Sequence, residues 1–383
     1  MKTYISNCRL VLPDEILENS SLLLEDGVIR EIAPESGLGA KEIDLAGKIL
    51  MPGMIDLHCD ALEKEVEPRP NVHFPFNYGC AQADKRNAAA GITTVFHSLS
   101  FAGEELGVRN NEMAATLVKA MHDWRPHGLV DNRIHCRYEI TNEAALPVVS
   151  DLLDNKMAHL VSLMDHTPGQ GQFKDMAGYR SYLAKTYKKD EKELDRLMEE
   201  KLLGSEGAYH RIQTLAECAH RNGIAIASHD DDSPERIATM RKIGANISEF
   251  PITLEAAAAA QRAGMATVFG APNILRGKSQ AGSMRAIDAI HADVADCLCA
   301  DYAPAALIVS VFCVPEQSTL NLAEAVRLVT SNPAQAAGLK DRGEIKEGKR
   351  ADLIAVDQPG GLPQICRVWV KGIEVFKTVY DHG

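Results

Sequence analysis

The sequence predicts an α/β protein: a (β/α)8 TIM barrel carrying a small β-sandwich domain built from both termini. Three observations predict it. Eight apolar, β-branched runs alternate with helix-like stretches through the middle of the chain, the pattern of repeated β/α units. The first 50 residues and the last 40 read instead as short strands joined by turns. The length, 383 residues, exceeds one small domain and suits a barrel of roughly 250 residues or more with a minor companion. The expected boundaries are 51–339 for the barrel, with 1–50 and 340–383 supplying the two parts of the small domain.

In order, KTYISNCRLVL, SLLLEDGVIREIA and KEIDLAGKILMPG give the N-terminal strands. The inner runs follow: GMIDLHCD, GITTVFHSLS, NRIHCRYEI, AHLVSLMDHT, GIAIASHDDD, GANISEFPIT, GMATVFGAPN and DCLCADYAP. Their near-continuous apolar character suits parallel strands buried on both faces. Gly91, Asn132, Gly223, Gly244 and Gly264 precede runs and read as helix C-caps. The competing fold is a Rossmann sheet, but no GxGxxG follows the first strand. Lys174 to Leu203 is strongly charged and helical by periodicity, expected to be a solvated face rather than a lid over the barrel mouth. GEIKEGKRADLIAVD and ICRVWVKGIEVFKTVYD return to the short-strand pattern.

With 41 basic and 53 acidic side chains, the formal charge is −12. Nucleic-acid binding depends on neutralising phosphates, so that class of partner is excluded. The longest apolar run, Ala305 to Val314, is half of what a membrane span needs, and no secretory signal opens the chain. Nine scattered cysteines without a CxxC pair argue for a reducing cytoplasm.

The chemistry gathers at the ends of the inner runs. They carry His58 and Asp60, then Arg137 and Glu139, Asp165 and His166, His229 through Asp232, and Asp301. In a TIM barrel the C-terminal strand ends form the active site, so these side chains converge. Histidines and carboxylates meeting there make a site for one or two divalent ions, Zn²⁺ or Mn²⁺. The expected ligands are His58, Asp60, Glu139, His166, His229 and Asp301. His97, His135 and Glu249 read equally well as supporting residues or plain structure. The three consecutive aspartates, Asp230 to Asp232, hold metal, or a Mg²⁺ travelling with phosphates, or in the case of Asp231 or Asp232 cap the helix beginning PERIATMRKIG.

LAGKILMPGMIDLHCD, the distant aspartate after an apolar strand and the late GEIKEGKRADLIAVD resemble the amidohydrolase superfamily. Its first barrel strand usually ends His-x-His, where this chain has His58-Cys59-Asp60. LVSLMDHTPGQGQF, ASHDDDSPE, SEFPIT, GAPNILRGKSQAGS and CADYAP narrow the likeness to the branch serving the carbon–phosphorus lyase pathway, over essentially the whole chain. The resemblance implies metal-dependent hydrolysis of the triphosphate on a small-molecule sugar phosphonate, with release of diphosphate. By resemblance, His58, Asp60, His166, His229 and Asp301 fall on the metal-site motifs, and Glu139 on a bridging carboxylate. A C–N hydrolase, a deacetylase or cyclic amidase of the same superfamily, is the alternative, and assembly as a homodimer is compatible with either.

For an anhydride substrate the residues divide the work. Asp301 is the candidate to orient the attacking water and take its proton. Arg276 and Lys278, in the glycine-containing loop after the seventh run, are candidate phosphate contacts, as is Arg137, whose other partner would be Glu139. Thr167 to Gln172 is a second candidate phosphate cradle.

Overall fold

The computed structural model describes residues 2–102, 108–167, 191–279 and 284–380. The N-terminal strands are β1 (Lys2–Val11), β2 (Ile16–Glu25), β3 (Val28–Ile32), β4 (Lys41–Asp44) and β5 (Ile49–Pro52). The eight inner runs become, in order, β6 (Met54–Cys59), β7 (Ile92–Phe101), β8 (Asp131–Glu139), β9 (Leu160–Met164), β10 (Ala225–His229), β11 (Ile247–Glu249), β12 (Ala266–Gly270) and β13 (Cys297–Cys299). Then come β14 (Leu353–Asp357), β15 (Gln364–Val370) and β16 (Ile373–Lys377).

Strands β6 to β13 lie in sequence order in one sheet, each paired parallel to the next. The ends of that sheet meet at the mouth, where Asp301 N–H donates to His58 O at 2.9 Å and Asp60 N–H to Asp301 O at 2.8 Å. A nearly closed parallel barrel results, as expected from eight runs buried on both faces.

Inward positions follow the two-residue period of a strand. Ile55, Leu57, Phe96, Leu160, Ala227, Ile247, Val268, Cys297 and Cys299 share one buried cluster inside the ring. Two residues beyond Ala227, Ile247 and Cys299 come His229, Glu249 and Asp301, so the same faces that fill the barrel also carry the polar residues at its mouth. On β6 the period breaks, because Leu57 faces the interior and so does His58. Its pairing with β7 shifts register between Asp56 and Cys59, and a bulge of this kind re-aims a side chain.

The second unit is one mixed sheet made from both ends of the chain, in the order β16-β15-β14-β5-β1-β2-β3, with β4 paired to β1. Strand β5 joins the two ends, parallel to β1 and antiparallel to β14. Ile5, Leu10, Leu22, Leu50, Leu353 and Trp369 fill its core. Between β5 and β6 stands Gly53, where an added Cβ would lie 2.3 Å from Thr93 Oγ1, so only glycine fits.

Gly91, Gly223, Gly244 and Gly264 all have positive φ, as C-caps require. Asn132 does not act as one. It lies within β8, fully enclosed, its amide donating to Asp84 Oδ1 at 2.7 Å while its carbonyl meets His97 Nε2 at 2.9 Å. Of the charged stretch 174–203, residues 174–190 lie outside the described residues; Glu191–Gly204 is a helix with Lys192, Asp195, Arg196 and Glu199 exposed. Its far end is not merely a solvated face, since Lys201 Nζ lies 4.0 Å from Glu139 Oε2. All nine cysteines are free, and no described helix is long and apolar enough to cross a membrane.

Candidate metal centre

At the barrel mouth three overlapping sets of ligand atoms lie within 4.8 Å of one another: His58, Asp60 and Asp301; His58, His229 and Glu249; and His166, His229 and Asp230. His58 and His229 belong to two sets each, with ring centroids 5.8 Å apart, so the sets form one continuous run of donors. Three backbones bend sharply to build it. Asp230, Phe250 and Asp301, each just past a strand end, have φ of 55°, 52° and 53°. Left-handed conformations in residues other than glycine are strained and collect at functional sites.

His58 is almost wholly enclosed, its Nδ1 3.3 Å from Glu249 Oε1 and its Nε2 3.5 Å from Asp60 Oδ1. Burial alone would lower its pKa, but Glu249 and Asp60 overcome that and hold it up at about 10. Glu249 has no solvent exposure; burial pushes its carboxyl up, yet His135 and His58 bring it down to about 2. His135 shows the reverse, pressed by burial to about 3 despite Glu249 at 3.7 Å. Asp301 is raised, first by burial and then by the charge of Asp60. Buried atoms that face one another as ion pairs without forming regular hydrogen bonds gather here: His229 Nδ1 and Asp230 Oδ2 at 3.2 Å, and His135 Nε2 and Glu249 Oε2 at 3.7 Å. Enclosed carboxylates and imidazoles with lone pairs to spare are a donor set suited to a hard or borderline divalent cation.

Of the expected ligands, Glu139 lies outside these sets, and Asp60, which belongs to one, is also engaged by arginines. Glu139 stands behind His166, its Oε2 2.9 Å from Nδ1, and also accepts from the Thr141 hydroxyl at 3.1 Å. It belongs to none of the three sets, and its geometry is that of a carboxylate orienting a histidine. Although burial opposes it, His166 keeps Glu139 down at about 2. Asp60 is gripped by two arginines, Arg137 at 3.3 Å and Arg109 at 3.2 Å, and its carboxyl is held far below the usual range; burial opposes this and Arg137 leads the opposing attractions. Arg137 therefore pairs with Asp60 rather than Glu139, and its Nη2 reaches His229 Nε2 at 3.5 Å.

Sequence reasoning left Glu249 undecided and missed Arg109 altogether, which also binds Glu63 at 2.7 Å. The aspartate run resolves into distinct jobs. Asp230 faces His229 at 3.2 Å, while Asp231 is buried, accepting from the hydroxyls of Ser228 and Ser248. Neither Asp231 nor Asp232 caps the next helix; Ser233 does, its hydroxyl accepting from Arg236 N–H. His97 turns away from the site toward Asn132.

Arg276 and Lys278 are exposed and form no hydrogen bond or ion pair with the donor run; Arg276 reaches the Tyr302 hydroxyl at 3.3 Å, on the rim beside Asp301. Of the Thr167–Gln172 cradle, residues 168–172 lie outside the described residues, as do Gly282 and Ser283.

Residues 49–378 match the family model described as the amidohydrolase family. The chain is 36% identical over 377 residues to the α-D-ribose 1-methylphosphonate 5-triphosphate diphosphatase of Escherichia coli (strain K12), covering 97% of this chain and all of that protein. A shorter likeness, 33% over 94 residues, links it to the L-hydantoinase of Paenarthrobacter aurescens, covering 24% of this chain and 19% of that one. Among solved structures, the N-isopropylammelide isopropylaminohydrolase of Burkholderia multivorans superimposes with a TM-score of 0.67 at 17% identity, over 98% of each chain. The N-acetylglucosamine-6-phosphate deacetylase of Pasteurella multocida gives 0.66 at 14% identity, over 97% of this chain and 99% of that one. At such identities these two likenesses concern the fold alone.

Proposed function

The chain belongs to the amidohydrolase family, and from that premise we propose that it hydrolyses α-D-ribose 1-methylphosphonate 5-triphosphate, releasing diphosphate and leaving the 5-phosphate. The observation that carries the reading is the 36% identity to a diphosphatase over that protein's full length. We read residues 51–339 as the catalytic barrel and 1–50 with 340–383 as a sandwich-like companion, in a cytoplasmic enzyme.

His58, Asp60, His229, His166, Asp230, Glu249 and Asp301 would hold one or two divalent ions, Zn²⁺ or Mn²⁺, with Glu139 orienting His166. A divalent ion supplies water acidified from a pKa of about 15.7 toward 7 and neutralises phosphoryl charge. The residues of this chain account for the rest. The Asp301 carboxylate, at the strand end, accepts a proton from water as its oxygen bonds to phosphorus. The anhydride bond between the first and second phosphates from ribose then breaks, and its electron pair leaves with diphosphate. Arg137, fixed by Asp60 at 3.3 Å, offers its guanidinium to phosphoryl oxygens, and Arg276 on the rim meets the outer phosphates.

Phosphorus NMR of the product mixture tests the reading. Diphosphate and the 5-phosphate are expected in equal amounts, with no intermediate 5-diphosphate. Stepwise release of inorganic phosphate, or hydrolysis only of amide substrates such as cyclic ureides, would refute it.

A further inference from the structure

At the opposite end of the barrel from the candidate metal centre, a cavity of about 840 Å³ opens between the barrel floor and the terminal sheet. Arg125, Arg133, Arg342, Arg350 and Lys371 line it, against the carboxylates Asp131 and Asp341, in a chain whose formal charge is −12. The four arginines surround Asp131: Arg342 at 2.6 Å, Arg133 at 3.1 Å, Arg125 at 3.6 Å and Arg350 at 3.8 Å. Arg342 also takes Asp341 and the Thr94 hydroxyl, and Arg350 takes the buried Asp352. Even so, four guanidiniums bring about twenty N–H donors. The two oxygens of Asp131 cannot occupy them. Among the described residues Arg125 has one ion pair, with Asp131 at 3.6 Å, and the Lys371 ammonium has none, only its backbone N–H donating to Asp352 Oδ1 at 2.8 Å. His122, also on the wall, keeps a buried Nδ1 without a hydrogen-bond partner.

We propose that this cavity is a second ligand site, binding a small phosphate-bearing anion that bridges barrel and terminal sheet. Its walls come from three parts of the chain: the turn and strand start at 125–133, the segment 341–350 and the β15–β16 turn at Lys371. Planar guanidiniums present paired donors to phosphate oxygens, and clustered arginines are the usual recognition element for that group. The site is separate from the mouth. Asp131 opens β8 and Glu139 closes it, eight residue steps and roughly 25 Å away at about 3.3 Å per residue.

Isothermal titration of the full chain with inorganic phosphate, ribose 5-phosphate and acetate tests the proposal without requiring turnover, so the diphosphatase reading can fail independently. The comparison is with Arg125→Gln, at a half-buried position, and Lys371→Glu, at an exposed one, singly and together. Wild type is expected to bind phosphate at one more site per chain than the double variant, each single change weakening that site at least tenfold. Tighter binding of the sugar phosphate would identify an organic ligand, and equal binding a free one; both support the site. Equal phosphate stoichiometry in wild type and the folded variants, or acetate binding as tightly as phosphate, would overturn it. Lys371→Gln replaces the charge reversal if the double variant unfolds.

Discussion

Asp301 combines a left-handed backbone, a raised carboxyl and a position where β13 closes against β6, so its side chain has little freedom to do anything but face the donor run. Asp301→Asn keeps the shape and removes the proton acceptor. The expected result is a fall in kcat of roughly 10²–10⁴-fold, read alongside metal content to separate lost base from lost ligand. Asp60 makes a contrasting case, because its oxygens are engaged by Arg137 and Arg109. Asp60→Asn should loosen Arg137 and raise KM, and lower metal content as well. Metal content that stays full would show that Asp60 serves Arg137 alone. His58, His229 and Asp301 could be read from sequence because each directly ends an apolar run. Arg109 could not, since its segment carries no local pattern and only the fold brings it to Asp60. Glu139 was legible as a buried functional carboxylate, but whether it touches metal or holds His166 depends on a side-chain direction that spacing does not encode.

The strands were legible as elements because burial on both faces leaves runs of β-branched residues, and all eight inner runs became barrel strands in order. Where reading failed, a polar residue was doing something non-local. Asn132 looked like a cap because asparagine follows helices, yet it links Asp84 to His97 across neighbouring elements. The break at β6 is equally silent in sequence, since strict alternation would send His58 away from Leu57's face. His97, outside the metal site, gives this level a pH test. Burial lowers its pKa to about 4, with Asn132 opposing, against about 6.5 in the unfolded chain. A depressed folded value means stability that is full above about pH 6.5 and is lost as pH falls toward 4. Tm should therefore drop across that window, and His97→Gln should flatten the slope by an amount on the order of a few kcal/mol over the window.

For the whole molecule, the charge of −12 excluded one partner class, and its distribution says more. Carboxylates crowd the C-terminal mouth with histidines, while arginines crowd the N-terminal floor around Asp131. Burial would raise the Asp131 carboxyl, but Arg133 and Arg342 hold it well below the usual carboxylate range. Asp131→Asn leaves those arginines facing one another, and breaking such a buried network costs about 3–5 kcal/mol; a lowered Tm is expected, partly restored by inorganic phosphate. That two-ended layout was beyond sequence reading because 125–133, 341–350 and Lys371 meet only after the termini have joined in one sheet. The claim on which the rest depends is that the mouth binds divalent metal and uses it to cleave a phosphoanhydride. Its most direct measurement is diphosphate release by wild type and His229→Ala, each stripped and then resupplied with Zn²⁺ or Mn²⁺, with bound metal quantified in the same samples. Wild type should regain metal and turnover together, and His229→Ala, folded by circular dichroism, should regain neither. Turnover that survives metal removal, or persists in His229→Ala, would contradict it.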